Sequence, residues 1–132
     1  PFRFQVRVYY EDTDAAGVVY YANYLKFFER ARTEWRAAIG FPLSAFERAH
    51  GVVFVVHRCE IDYLRPARLN DVLDVTVQVA ARRAVRLVVG QNVTRADELL
   101  TAAQVELACV DAQTMRPARI PSALAQRLEE TA

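Results

Sequence analysis

One amphipathic helix pattern stands almost alone in this chain, and strand patterns fill most of the rest. Between residues 21 and 39 the apolar side chains recur at intervals of three and four, which predicts a helix of about five turns. Gly40 and Pro42 end it, because glycine accepts the left-handed conformation at a helix end and proline blocks a restart. From residue 52 onward the apolar period changes to two, which is typical of strands.

Each segment with this period of two has one apolar face that must be buried against another element. One such segment precedes the helix and four follow it, at residues 3–10, 52–64, 72–80, 85–95 and 99–110. Because only one large helix is available, we expect a single α+β domain over residues 1–132, with a curled five-stranded antiparallel sheet wrapped around a long central helix. Such a sheet leaves edge strands that a second copy can pair with.

Finer details of these elements also follow from the pattern. Short helices are predicted at residues 43–50 and 122–130. Strict alternation within the 52–64 strand predicts one shared face for Val53, Val55, His57, Cys59, Ile61 and Tyr63. On the long helix, the polar side chains are expected mostly on faces other than the apolar one, namely those of Lys26, Arg30, Glu34 and Arg36.

Charge, cysteine and hydropathy patterns argue against several classes of partner. Seventeen basic and sixteen acidic side chains give a net charge of +1, so no nucleic-acid-binding surface is expected. No apolar run reaches the roughly 18 residues of a membrane span, and we expect a cytoplasmic protein. Cys59 and Cys109 lie in apolar strands without metal-ligand spacing, so we expect free thiols in a reducing compartment.

An acidic loop at residues 10–24 joins the first strand to the helix. It carries Glu11, Asp12 and Asp14 just ahead of the helix start, where free N–H groups and the positive end of the helix dipole attract negative charge. These carboxylates can cap the helix or form an Asx turn. They can equally mark a site at which negative charge develops during a reaction.

Five segments carry a specific resemblance to a known family. They read VRVYYEDTD at 6–14, GVVY at 17–20, FFERARTE at 27–34, PARL at 66–69 and CVD at 109–111. The chain resembles the hotdog-fold acyl-CoA thioesterases from residue 6 to about residue 121. It is most similar to the Tol-Pal-associated (YbgC-like) branch, a relative of 4-hydroxybenzoyl-CoA thioesterase. The resemblance implies a hotdog fold and hydrolysis of acyl-CoA or acyl-carrier-protein thioesters by a homodimer or homotetramer, without a metal or cofactor.

The resemblance also implies the catalytic residues. The family's catalytic carboxylate corresponds to Asp14, which can act as a general base toward water or as a nucleophile. The main-chain N–H that polarises the thioester carbonyl corresponds to Tyr21, where YbgC-like enzymes usually carry histidine. A main-chain role tolerates that difference, and a thiolate leaving group needs no strong general acid.

Substrate contacts are implied more widely along the chain. The family's site lies between protomers, so the resemblance points to Gly17, Glu29, Val55, Val56 and Arg58 as acyl-pocket residues. Basic residues in the family's corresponding turn contact the nucleotide phosphates of CoA, which points to Arg82 and Arg83.

Structural roles are the alternative reading for several of these positions. Glu29 can be a buried, hydrogen-bonded group, and Gly17 can serve only to supply a backbone angle. Arg82 and Arg83 can form a solvated turn. Asp12, Thr13 and Asn23 are expected to hold the loop through side-chain hydrogen bonds.

Two rival functions remain open at this point. A hotdog dehydratase needs a histidine in a helix-entry motif, and neither His50 nor His57 has that context. A non-catalytic acyl-thioester-binding or envelope-associated scaffold module would not depend on Asp14.

Overall fold

The computed structural model describes residues 1–131. Within them the strands are β1 Phe2–Arg7, β2 Val52–Tyr63, β3 Val72–Arg82, β4 Arg86–Arg95 and β5 Glu98–Asp111. The α-helices are α1 Tyr24–Ala38, α2 Leu43–His50 and α3 Ser122–Thr131. The acidic loop contains two three-residue 3₁₀ turns, Tyr10–Asp12 near its start and Tyr21–Asn23 near its end. None of the helices in residues 1–131 has the length and apolarity needed to cross a membrane.

The five strands form one antiparallel sheet in the order β1-β3-β4-β5-β2, so β1 and β2 are its edges. Helix α1 packs on one face through the buried side chains of Phe27, Phe28 and Trp35. Gln91 identifies that face, because its buried amide donates to the carbonyl oxygen of Phe28 at 3.1 Å. The predicted α+β arrangement of one long helix against a five-stranded antiparallel sheet is confirmed.

The start of the central helix differs from the prediction. Residues Tyr21–Asn23 form a 3₁₀ turn, and the α-helix begins only at Tyr24. The end agrees with the prediction, since Gly40 has a φ of +91°, where a side chain would be strained. The apolar period continues through both kinds of helix, so it could not distinguish the 3₁₀ turn from the first turn of α1.

Arg36 is the exception among the polar residues expected mostly on faces other than the apolar one, because it is buried. Its side chain is buried because α2 folds back over it, and the guanidinium carbon lies 4.6 Å from the Phe46 ring centroid and 5.3 Å from that of Phe54. The Nε and Nη2 atoms are buried without a hydrogen-bond acceptor among residues 1–131. Burial lowers the pKa of Arg36 to about 10, although it stays charged at neutral pH.

The expected single face of β2 is also wrong, because the strand contains a bulge. Val56 pairs with Leu107 and Arg58 pairs with the next residue, Glu106, so His57 is an extra residue on the β2 side. The bulge reverses the alternation, and Val53 and Val55 therefore point away from α1. The side chains opposite core residues of β5 are those of Phe54, Val56, Cys59, Ile61 and Tyr63.

Candidate active site

The middle of the acidic loop, residues 14–19, forms a tight turn that is hydrogen-bonded to the chain segment before β3. The N–H of Asp14 donates to the carbonyl oxygen of Val18 at 2.9 Å, and the N–H of Gly17 donates to that of Asp14 at 2.9 Å. Gly17 has a φ of +79°, and an added Cβ would meet no atom within 4 Å. The positive φ alone therefore favours glycine at this position, and no neighbouring protein atom requires it. The N–H of Val19 donates to the carbonyl oxygen of Ala67 at 2.9 Å and ties the loop to that segment.

Asp12 and Asn23 connect the loop to the helix start, as predicted. Both side chains are 8% exposed, and Asn23 Nδ2 donates to Asp12 Oδ1 at 2.9 Å. The second oxygen, Asp12 Oδ2, accepts from the N–H of Tyr9 at 2.8 Å. Thr13 Oγ1 donates to the carbonyl oxygen of Tyr10 at 2.7 Å. The polar atoms of Asp12, Thr13 and Asn23 thus form hydrogen bonds that stabilise the loop.

The Asp14 side chain is exposed, and only one of its two carboxylate oxygens accepts a hydrogen bond from residues 1–131. Its Oδ1 accepts from the N–H of Ala16 at 2.9 Å, which is the Asx turn that the sequence allowed. Its Oδ2 accepts no hydrogen bond from residues 1–131. The Asx turn therefore fixes the orientation of the carboxylate and leaves one oxygen available.

The 3₁₀ turn presents an unbonded N–H group at the start of the helix. Tyr20 N–H donates to the Asp12 carbonyl oxygen at 2.9 Å, and Asn23 N–H donates to the Tyr20 carbonyl oxygen at 2.8 Å. Between them, the N–H of Tyr21 has no acceptor within the described part of the chain. Such a group carries the partial positive charge of a helix start.

Asp14 and Tyr21, which carry the free carboxylate oxygen and the unbonded N–H, line one cleft of about 290 Å³. The other lining residues are Val18, Val19, Tyr24, Tyr63, Leu64, Arg65 and Pro66. The Tyr63 hydroxyl donates to the carbonyl oxygen of Tyr21 at 2.8 Å. Sequence reasoning missed the contribution of residues 63–66 to this cleft. Pro66, which ends the strand, was visible in the sequence, but nothing there linked that strand end to the helix start.

Glu29 and Val56 lie elsewhere, in a groove of about 180 Å³ between α1 and β2. The Glu29 side chain is exposed and so is not a buried structural group, and the only hydrogen bond that its carboxylate accepts from residues 1–131 is a long one of 3.4 Å from Thr33 Oγ1. Val56 is 53% exposed. Neither side chain lines the cleft that contains Asp14.

Val55 and Arg58 do not share the groove with Val56. Val55 pairs with Ala108 on the opposite face of the sheet, and Arg58 pairs with Glu106 on that same face because of the bulge. Arg58 forms an ion pair with Glu60. A single chain therefore does not bring the three β2 residues together around one ligand.

Arg82 and Arg83 lie at the far end of β3 from the acidic loop. The strand has 11 residues, so its ends are about 33 Å apart. Arg82 Nη2 forms an ion pair with Glu129 Oε1 at 2.6 Å, whereas the exposed Arg83 side chain has no such partner among residues 1–131. Within one chain these arginines and Asp14 are too widely separated to be neighbours.

No group of three or more histidine, cysteine, aspartate or glutamate side chains in residues 1–131 is arranged to hold a metal ion. Cys59 and Cys109 are both free thiols, as predicted. Burial raises the pKa of each thiol, so neither is an activated nucleophile.

Comparison with known proteins gives the family of this chain. Residues 8–128 match the model of the thioesterase-like superfamily. The chain belongs to this superfamily. The thioesterase resemblance and the hotdog fold predicted from the sequence are thereby confirmed.

Individual relatives of this thioesterase family agree over nearly the whole chain. The acyl-CoA thioester hydrolase YbgC of Escherichia coli O157:H7 is 42% identical over 130 residues, which cover 98% of this chain and 96% of the relative. The acyl-CoA thioesterase YbgC of Haemophilus influenzae is 43% identical and covers 91% of this chain and 88% of its own. The crystal structure of a probable thioesterase from Bartonella henselae superposes with a TM-score of 0.84 at 35% identity, covering 90% of this chain and 98% of that one.

Proposed function

We propose that this chain hydrolyses acyl-CoA thioesters to the free acid and the CoA thiol in the cleft that contains Asp14 and Tyr21. Acyl-CoA thioester hydrolysis is supported by relatives with that activity in their names, at 42–43% identity. The assignment of residues depends on one observation, which is that Asp14 and Tyr21 line the same cleft. Within residues 1–131, one carboxylate oxygen of Asp14 has no donor and the helix-start N–H of Tyr21 has no acceptor.

The Tyr21 N–H supplies the electrostatic part of the reaction. As an oxygen nucleophile attacks the thioester carbonyl carbon, negative charge moves onto the carbonyl oxygen. An oriented N–H at a helix start stabilises that charge without reorganising, and one such donor is typically worth about 10²–10³ in rate. The N–H is free to take this role because it makes no bond within the described residues.

Asp14 supplies the nucleophile or activates it. As a general base, its free Oδ2 takes a proton from water while the water oxygen bonds to the carbonyl carbon, and the C–S bond then breaks to release CoA thiolate, which is protonated by solvent. As a nucleophile, the same oxygen bonds to the carbonyl carbon and expels the thiolate, and water hydrolyses the resulting anhydride. The Ala16 N–H on Oδ1 orients the carboxylate in both routes.

Asp14→Asn is the direct test. The asparagine keeps an oxygen for the Ala16 N–H but can neither accept the proton nor attack effectively, so we expect kcat to fall by about 100-fold or more. Circular dichroism and the thermal midpoint should stay at the wild-type values, because the side chain is exposed. Hydrolysis of an acyl-CoA within tenfold of wild type would refute the assignment of Asp14, and absence of turnover in the wild-type protein itself would favour a non-catalytic binding module.

Most of the residues proposed for acyl and nucleotide contacts lie away from Asp14 in a single chain, which fits a site shared between two copies of the chain. We propose a homo-oligomer, at least a dimer, in which a second chain pairs along the free edge of β2 and brings its groove, with Glu29 and Val56, toward Asp14. The free edge of β2 and the distance of about 33 Å between the ends of β3 support this arrangement. In it, Arg83 of one copy contacts the phosphates of CoA bound mainly to another.

Sedimentation equilibrium tests the assembly. The measured mass should be a multiple of the 15.0 kDa protomer mass, two or four being the expected numbers. A fully active protein that sediments at the protomer mass would rule out the shared site.

A further inference from the structure

Two neighbouring N–H groups at the helix start have no acceptor in the described part of the chain. They belong to Tyr21 and Ala22, which are the first two residues of the 3₁₀ turn. The third N–H, that of Asn23, is already used, since it donates to the carbonyl oxygen of Tyr20 at 2.8 Å. Free N–H groups in the first turn of a helix point back toward its start, which is the direction of the loop with Asp14.

The peptide groups that carry these two N–H groups are each fixed from the carbonyl side. Tyr21 N–H shares its peptide group with the Tyr20 carbonyl, which accepts from Asn23 N–H. Ala22 N–H shares its peptide group with the Tyr21 carbonyl, which accepts from the Tyr63 hydroxyl at 2.8 Å. A hydrogen bond accepted by a carbonyl polarises the N–H of the same peptide group and restricts its orientation.

The Tyr63 side chain is well placed to keep this bond. It is at the end of β2, opposite the buried Thr101, and its ring makes edge contacts with Tyr21 and Tyr24 at centroid distances of 6.2 and 5.6 Å. Burial raises its pKa, and the nearby Cys59, Tyr24 and Tyr21 raise it further, so the hydroxyl keeps its proton. The ring also lines the cleft that contains Asp14.

We propose that Tyr63 is a positioning residue for thioester hydrolysis, which holds the first peptide groups of the helix so that Ala22 N–H stabilises the oxyanion beside Tyr21 N–H. The inference rests on the proposed function and extends it in two ways. It adds a second main-chain donor to the oxyanion site. It also makes the end of an edge strand part of the catalytic apparatus, although that strand contributes no catalytic residue itself.

Tyr63→Phe tests this inference. The phenylalanine keeps the ring contacts and removes only the hydroxyl, so the Ala22 peptide group loses its anchor while the N–H survives. We expect kcat on an acyl-CoA to fall about tenfold, which is less than the 10²–10³ typical of deleting a donor outright. KM should change less than twofold and the thermal midpoint by no more than about 2 °C, because the hydroxyl is on an exposed side chain.

Tyr10→Phe is the matched control. Tyr10 lies in the acidic loop that carries Asp14. It is 83% exposed, and its hydroxyl makes no hydrogen bond with residues 1–131. This variant should keep the wild-type kcat. A Tyr63→Phe enzyme with unchanged kcat, or with a lower thermal midpoint and a proportionate loss of active protein, would overturn the positioning role.

The outcome is separable from that of the proposed function. If Asp14→Asn is inactive while Tyr63→Phe turns over normally, only the positioning role fails. If Asp14→Asn retains activity, the proposed catalytic site fails whatever Tyr63→Phe does.

Discussion

Asp12 and Asp14 are two residues apart in one loop, yet they are in opposite situations. Asp12 is 8% exposed, and both of its carboxylate oxygens accept hydrogen bonds, from Tyr9 N–H and from Asn23 Nδ2. Asp14 is exposed, and only one of its oxygens accepts a bond from residues 1–131. The difference shows why chemical type alone does not identify a catalytic group. A carboxylate whose lone pairs are committed holds the loop, and one with a free oxygen can react.

The same contrast recurs in the adjacent pair Arg82 and Arg83. Arg82 is committed to Glu129 on α3, while the Arg83 side chain is exposed and without an ion-pair partner in the described residues. In both pairs the two residues are of one type and close in sequence. The structure assigns one member to holding the fold together and leaves the other available for a ligand.

The largest effect expected from this contrast is on stability. Asp12→Ala leaves the buried Asn23 amide and the Tyr9 N–H without their acceptor, so we expect the free energy of unfolding to fall by about 3 kcal/mol. Asp14→Ala loses one exposed Asx bond and should cost about 0.5 kcal/mol. Urea unfolding of the two variants measures the difference. Equal losses would mean that the two aspartates do not divide their roles as described.

A smaller effect is expected from the arginine pair. Arg83→Ala should raise KM about fivefold for an acyl-CoA and leave KM unchanged for the matching acyl-pantetheine, which lacks the nucleotide phosphates. Arg82→Ala is the control and should change KM for acyl-CoA less than twofold, because Arg82 is already paired. Equal effects of Arg83→Ala on both substrates would remove Arg83 from the CoA site.

Much of the fold could be predicted because it depends on periodicity, which the sequence displays directly. The central helix with Gly40 just after its end, the five strands, and the roles of Asp12 and Asn23 in holding the loop all have local signatures. The bulge at His57 has none, because one extra residue reverses the alternation of β2 without changing its composition. The burial of Arg36 was also hidden, since it depends on how α2 folds back over α1.

The candidate site divides in the same way. Family resemblance indicated Asp14 and the Tyr21 N–H, both within one short loop and turn. The contact between the Tyr63 hydroxyl and the Tyr21 carbonyl joins residues 42 positions apart, and no local pattern announces it. The residues of β2 proposed for the acyl pocket lie on two faces: Val55 and Val56 alternate as consecutive strand residues do, and the bulge moves Arg58 from the face of Val56 to that of Val55.

We propose that the main-chain N–H of Tyr21, and not its side chain, acts opposite Asp14. Tyr21→Ala removes the ring and keeps the N–H, whereas Tyr21→Pro removes both. Proline is compatible with this position, because Tyr20 is already extended at φ −58° and ψ 129° and the Tyr21 N–H makes no bond within residues 1–131.

The decisive measurement is the ratio of kcat for Tyr21→Ala to kcat for Tyr21→Pro on one acyl-CoA, with both variants verified as folded by circular dichroism. If the main-chain N–H is the oxyanion donor, we expect a ratio of about 10²–10³, the usual effect of removing one such donor. Two folded variants with equal kcat would contradict it.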